Sequence, residues 1–264
     1  ETGLGGRLDA TNASRAHVWV LTPISYDHEQ ILGPTLTDIA FEKAGIIKNA
    51  NQQTDRGVGV AVCAAQDKEV MNVFRRRAKA EGAALLEMEK DFSFKRLGGD
   101  LNSQDFFYRG LNDRSHFFNI RMLGNHQLVN ASLAVAACEA LALFGVKITD
   151  EAMARGLQNA HWPGRLEVVR TKPFIILDGA HNKDSAGRLA HFLGKEFKSL
   201  RKWAIFGVSE DKDIKGLVER LEPMVDHVIL TRSTNPRAAD PEKVLKPFFR
   251  KEPHRVTSSV QEAL

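Results

Sequence analysis

Cysteine is scarce in this sequence: Cys63 and Cys138 are the only two among 264 residues, each in an apolar stretch and far from the other. Two thiols are too few for a disulfide framework, and two so far apart do not form the closely spaced pair of a Cys/His zinc pattern. Two reduced core thiols are expected instead, as suits a cytoplasmic protein. No apolar run approaches the roughly 20 residues that a membrane helix needs, so no membrane partner is expected. The N-terminus has neither the basic start nor the apolar core of a signal peptide. His28-Glu29 has no second histidine at metalloprotease spacing, and no G-x-S-x-G elbow occurs. The early G-L-G-G-R-L lacks the third glycine of a dinucleotide fingerprint. No long block of one charge sign exists either, although the net charge is +4 with a pI near 9.1. The densest basic run, Arg75-Arg76-Arg77-Ala78-Lys79, reads as the solvated face of an amphipathic helix. Nucleic acid is therefore not an expected partner, whereas small anions such as nucleotide phosphates and polycarboxylates are.

What remains is an ordinary globular composition, 43% hydrophobic and 27% charged, with length for one large or two modest domains. The chain is organised around residues 25–48. They follow an apolar run, Val18–Leu21, that reads as a buried strand ended by Pro23, which has no N–H for a ladder. Asp27, His28 and Glu29 then lie just past a strand's C-terminal end, where open α/β sheets place their sites. Thr35 and Asp38 have the spacing of a capping box, opening a helix with Leu36, Ile39, Ala40 and Ala44 apolar and with Glu42 and Lys43 on it. Spacing alone allows two readings: a polar site facing an acid and a lysine, or a solvated loop beside a surface helix.

Farther on, a strand at 58–63, a helix at Lys68–Glu81 and a strand at 83–86 alternate as in a parallel sheet. Residues 92–120 break into short antiparallel runs with Phe92, Phe94, Phe106, Tyr108, Phe117 and Ile120 in the core. Residues 124–145 are a buried helix whose apolar set extends to Leu143 and whose first turn carries His126, Gln127 and Asn130. Free N–H groups there favour an anion or a polar ring. Thr149 opens another helix, and Trp162-Pro163-Gly164 marks a domain boundary, giving domains 1–162 and 163–264. Strands at 166–170 and Phe174–Leu177, a helix at 185–197, then Trp203–Phe206, Ile214–Leu221, His227–Leu230, a helix at 241–249 and Arg255–Val256 continue as a doubly wound sheet. Asp178 and His181 end the Phe174–Leu177 strand, either exposed at the sheet edge or as a buried hydrogen-bonded pair. Glu1 reads as the end of a strand and the last residues as an unfinished helix. An N-terminal part and a closing element of the second domain are therefore expected to be missing.

Several motifs stand in a characteristic order: E-T-G-L-G-G-R-L-D-A-T-N at 1–12, D-H at 27–28, E-K-A-G-I at 42–46 and L-G-N-H-Q-L-V-N-A at 123–131. W-P-G-R-L-E at 162–167, L-D-G-A-H-N at 177–182, E-D-K-D at 210–213 and T-N-P-R-A at 234–238 follow. Together they resemble the folylpolyglutamate synthase and dihydrofolate synthase family, relatives of the cell-wall Mur ligases, over nearly the whole chain. The resemblance implies an α/β architecture: a P-loop-type ATPase domain, with a parallel sheet and small antiparallel strands, followed by a Rossmann-like domain. It implies ATP-dependent ligation of L-glutamate to a folate or dihydropteroate carboxylate through an acyl phosphate, by a cytoplasmic monomer that uses ATP and a pair of Mg²⁺ ions.

Carried over, Glu1 and His28 hold one magnesium ion, and Lys43, carbamylated by CO₂, binds the second. Asn130 reads the adenine edge and Arg165 reaches the ATP phosphates. Asp178 and His181 contact ATP and help position glutamate, with His181 a candidate base for its amine. Two other readings stand beside this one: a Mur-type ligase acting on a cell-wall nucleotide, and a non-catalytic nucleotide-binding module. One departure is plain. No G-x-x-x-x-G-K-[ST] occurs, and Gly194-Lys195 is followed by Glu196. The 264 residues alone are therefore expected to be inactive, and folate-dependent phosphate release by this purified chain would contradict that.

Overall fold

The computed structural model describes residues 1–48 and 58–264, which form two compact units, Glu1–Leu177 and Asp178–Leu264. The first is built on strand β1 (Val18–Leu21), a short helix α1 (Glu29–Leu32) and helix α2 (Leu36–Ala44). Strand β2 (Val60–Cys63), helix α3 (Lys68–Glu81) and strand β3 (Ala84–Glu87) follow. The three strands form a parallel sheet in the order β1-β2-β3. Every residue of β2 is buried, because both faces of the sheet are covered. Ala61 and Cys63 pack with Ala40 and Ala44 of α2 and with Val70, Met71 and Phe74 of α3. Val60 and Val62 face the opposite core. Helix α2 begins as the spacing predicts, with Thr35 accepting from the Asp38 N–H and the Asp38 carboxylate accepting from the Thr35 N–H.

The second core lies under a three-stranded antiparallel sheet, β4 (Ser93–Gly99), β5 (Gln104–Arg109) and β6 (Ser115–Ile120), and against helix α4 (Asn125–Leu141). Phe92, Phe106, Tyr108 and Phe118 fill it. The Tyr108 hydroxyl donates to Glu139 of α4 at 2.8 Å, and burial followed by the Glu139 charge pushes its pKa well up. Two apolar expectations fail. Phe117 is 74% exposed, because period-2 alternation along β6 puts Phe118 inside and Phe117 outside, where it meets Phe107 of β5. Leu143 is 68% exposed, beyond the end of α4 in a terminal 3₁₀ turn. The stretch Asn125–Phe144 is also apolar enough to span a membrane by length and composition, with mean hydropathy 1.6, contrary to expectation. Here Leu128, Leu133, Val135 and Ala136 use that apolarity in the core.

Both cysteines are free thiols. Burial pushes the Cys63 thiol up to about 12, so it is protonated and unreactive at neutral pH. The basic run of α3 is less idle than its pattern implies. Arg75 makes a forked ion pair with Glu87 at the end of β3 (2.6 and 3.0 Å), and Arg77 donates to the Ile47 carbonyl. The Arg75 bond holds the Glu87 carboxylate below its ordinary value of 4.5, with burial opposing it. A lowered folded pKa stabilises the fold above the unfolded value and loses that stabilisation as the pH falls below it. Glu87→Gln is therefore expected to cost about 1–3 kcal/mol at pH 7. In thermal melts across pH, the gap from the parent should close below about pH 4.5.

Helix α5 (Asp150–Asn159), capped by Thr149, precedes β7 (Glu167–Thr171) and β8 (Phe174–Leu177). The latter pair was expected to enter the doubly wound sheet. It forms an antiparallel hairpin instead, with Phe174 and Leu177 about half exposed. A two-residue connection can only return antiparallel, since parallel pairing needs a crossover of a dozen or more residues.

In the second unit, helix α6 (Lys183–Glu196) precedes β9 (Trp203–Phe206), and helix α7 (Ile214–Leu221) precedes β10 (His227–Leu230) and β11 (Arg255–Val256). The three strands are parallel in the order β11-β10-β9. Phe206, Leu217, Val228, Leu230 and Leu245 form the core. The helix expected at 241–249 is only a π turn at Pro241–Leu245 and a 3₁₀ turn at Lys246–Phe248. Pro247 has no N–H to give to residue 243 and its ring crowds the preceding turn, so a regular helix cannot pass.

Candidate functional site

The glycine loop at 3–7 is bound to the C-terminal turn of α2, the turn carrying Glu42 and Lys43. The Arg7 N–H donates to the Glu42 carbonyl at 2.8 Å, and the Arg7 guanidinium forks onto the Glu42 carboxylate at 2.9–3.2 Å. Asn12 ties the two together by donating to the carbonyls of Arg7 and Gly45. Such proximity leaves no room for side chains. A Cβ on Gly6 would meet the carbonyl oxygens of Lys43 (2.8 Å) and Glu42 (3.0 Å), and one on Gly45 would strike Arg7. Gly5 lies against Leu32 of α1 and Glu42, so the turn after His28 joins the same cluster. Two motifs whose contact spans 35 positions thus converge on one patch, with Leu32 of α1 beside it.

Asp9 organises the loop from within. Its carboxylate accepts the N–H groups of Gly3, Leu4 and Thr11 and the Thr11 hydroxyl. The Thr11 hydroxyl first, and then the Leu4 N–H, hold its pKa well below the usual carboxylate range. Asp9 and Arg7 were not candidates from sequence, and Glu42 was read there only as an acid facing the site, not as the partner of Arg7. The D-A-T spacing, an acid two residues before a threonine at a turn, was the available signal for Asp9.

His28 is exposed and sits in the left-handed region (φ 54°, ψ 32°), its N–H held by Asp27 Oδ1 at 3.0 Å. A non-glycine residue held there by its neighbours is an observation worth linking to a site. Glu1 is exposed as well. Lys43 is half-buried, and its ammonium has no hydrogen bond or ion pair among the described residues, because Arg7 occupies the adjacent Glu42. Among the described residues no three His, Cys, Asp or Glu side chains converge as a metal cage. Magnesium does not require one. It keeps waters and phosphate oxygens and takes few protein groups, so the exposed Glu1 carboxylate suits it, and the exposed His28 imidazole would serve as a neutral nitrogen donor or as a partner of its bound waters.

A second cluster surrounds the first turn of α4. Gly124 has φ 91°, and the buried amide of Gln104 donates to its carbonyl (3.0 Å) and to that of Met122 (2.8 Å). Asn130 is exposed one turn on and donates to Gln127. Leu166 is buried with φ 48° against Gly124, and Glu167 accepts the Gly164 N–H at 2.8 Å. Arg165, between these anchors, is exposed and makes no side-chain hydrogen bond or ion pair among the described residues. The structure therefore holds Arg165 beside the turn that leads to Asn130.

In the second unit Asp178 and His181 lie in the turn before α6. Asp178 Oδ1 accepts the Ala180 N–H, and His181 Nδ1 lies 2.9 Å from the Gly179 carbonyl. Ser185 accepts the N–H groups of His181 and Asn182, while Asn182 and Ser185 form the capping box. Both predicted side chains are partly exposed.

Two family models match the chain: "Mur ligase middle domain" over residues 2–138 and "Mur ligase, glutamate ligase domain" over residues 164–264. A dihydrofolate synthase/folylpolyglutamate synthase of Mycobacterium tuberculosis is 36% identical over 244 residues, 92% of this chain and 50% of the relative. The Bacillus subtilis protein of the same name is 33% identical, over 90% of this chain and 54% of the relative. The chain thus spans about half the length of these relatives. A crystal structure of M. tuberculosis folylpolyglutamate synthase complexed with ADP and AMPPCP superposes with a TM-score of 0.88 at 33% identity, over 100% of this chain and 59% of that one.

Proposed function

Because this chain belongs to the Mur ligase family, we propose that it carries the chemistry of ATP-dependent amide ligation. It joins L-glutamate to the carboxylate of a folate or dihydropteroate. The acceptor carboxylate takes the γ-phosphoryl group of ATP, the amine of glutamate attacks the acyl phosphate, and phosphate leaves. Such a reaction needs positive charge around the transferring phosphoryl group and a geometry that holds acyl phosphate and amine together. The observation that carries the reading is the clamping of loop 3–7 onto the Glu42-Lys43 turn, which gathers two of the family's motifs on one patch.

In this reading Asn130 takes the adenine edge at the start of α4, where free N–H groups and the helix dipole favour the nucleotide. Arg165 pairs with the phosphates, a role for a forked donor that cannot lose its charge. Glu1 and His28 hold one magnesium ion. Lys43 adds its amine to CO₂ with loss of a proton, and the resulting carbamate holds a second. When bound, these ions neutralise charge on the transferring phosphoryl oxygens. Asp178 and His181 orient ATP and the incoming glutamate. The similarity to folylpolyglutamate and dihydrofolate synthases suggests the substrate class, and a cytoplasmic monomer with its domain boundary at 162/163 completes the proposal. The test is phosphate release by the full-length product of the gene. It is expected only with ATP, L-glutamate and dihydropteroate or a reduced folate together. Release only with a cell-wall nucleotide would move the chain to the amino-acid ligases of that pathway. Silence with every acceptor would overturn the ligase reading in favour of a binding module.

A further inference from the structure

The last backbone bond between β1 and β2 runs from the Ala64 N–H to the Leu21 carbonyl at 3.0 Å. Beyond it, Pro23 has no N–H to continue a ladder. The side chain of Gln66 continues it instead. Its Nε2 donates to the Thr22 carbonyl at 3.2 Å, and its Oε1 accepts the Ile24 N–H at 3.1 Å. The two partners fix the amide's orientation, since a carbonyl can only accept and an N–H only donate. Gln66 thus acts as one more strand residue, spanning the proline.

Beside these bonds, Ile24 packs against the apolar core of the parallel sheet, and Asp27 Oδ1 accepts the His28 N–H. Residues 22–28 carry no helix or strand, and a cleft of about 370 Å³ opens beside them, lined by Pro23, Ile24, Leu36, Gln66, Asp67 and Val70 among others. A segment without regular secondary structure depends in part on such hydrogen bonds for its position. Four residues past Ile24 stands His28, in a left-handed conformation. We propose that Gln66 is a positioning residue for His28: its amide sets where the strand-to-α1 segment runs, and so where the imidazole meets the metal. The inference rests on the reading of His28 as a magnesium ligand. Removing groups that orient a metal ligand typically weakens metal affinity 10–100-fold.

The experiment uses the full-length gene product and compares Gln66→Ala and Gln66→Glu with the parent, reading turnover against magnesium concentration, thermal midpoint and hydrogen exchange at the Ile24 amide. Gln66→Ala is expected to raise the half-saturating magnesium concentration about tenfold or more, with kcat at saturating magnesium within about twofold, and to speed exchange at Ile24. Gln66→Glu keeps the acceptor for Ile24 but sets a carboxylate against the Thr22 carbonyl, so it should fall between the two, and it serves if the alanine variant does not fold. An active parent whose variants exchange faster at Ile24 yet keep the parent's magnesium dependence would overturn the positioning role while leaving the ligase reading intact. An inactive parent would overturn both.

Discussion

Lys43→Ala is expected to abolish glutamate-dependent ATP turnover in the full-length product, by about 10³-fold or more, while moving the thermal midpoint little. The second half of that expectation comes from geometry. Lys43 closes α2 with no ion pair or hydrogen bond to its ammonium among the described residues, so its removal breaks no tie of the fold. Its neighbour Glu42 is the structural acid, forked onto Arg7 35 positions away. A half-buried lysine whose ammonium has no partner among the described residues differs from an ordinary surface lysine. In the proposed reaction its amine adds CO₂, and the carbamate would present an anion on a long arm. Two further results separate this from a role as a plain cation. Lys43→Arg should be as inactive as the alanine variant, because a guanidinium keeps the charge but does not form the carbamate. A labelled carbamate carbon should appear in the parent incubated with ¹³C-bicarbonate and vanish in either variant. Full turnover by Lys43→Arg would return Lys43 to the role of a simple cation.

The parts of this chain that were legible in sequence are those governed by local periodicity. The continuous apolar run of β2, the Thr35–Asp38 box and helix α3 each rest on residues within a few positions of one another, and each stands where its pattern puts it. Departures arise where a distant or local constraint competes. Phe117 counts as apolar, but the pleat decides its side. The helix expected at 241–249 contains Pro247, which forces shorter turns. At the candidate site the motif residues were legible and their mutual support was not. Nothing in the letters pairs Arg7 with Glu42, or makes Gln66 the continuation of a strand across Pro23, because these contacts span 35 and 42 positions. Leu166, a bulky residue in the left-handed region, has no local signal at all; its backbone follows from where its side chain is buried.

That burial makes Gly124 a sensitive position in the first unit. Gly124→Ala would place a methyl group 2.7 Å from His126 and 2.8 Å from Leu166, at a φ of 91° that side chains rarely adopt. Neither neighbour yields easily. Leu166 is held by its own left-handed backbone beside the Gly164–Glu167 bond, and Gln104 grips the Gly124 carbonyl from below. Strain at φ and overpacking each cost about 1–3 kcal/mol, so the variant should lose roughly 2–5 kcal/mol. Gly156 in α5 provides the contrast: it has ordinary helical surroundings with nothing within 4 Å of a Cβ, and Gly156→Ala should stabilise by about 0.5–1 kcal/mol. Thermal unfolding of the pair separates the mechanism from a general intolerance of glycine replacement. Where the Gly124 variant remains folded, its KM for ATP should rise more than its kcat falls. The displaced turn carries Asn130 and, through Leu166, moves the backbone of Arg165, while the Lys43 patch is left untouched. A Gly124→Ala variant with the parent's melting point would mean that the turn relaxes at no cost, and that Leu166 does not fix the position of Arg165.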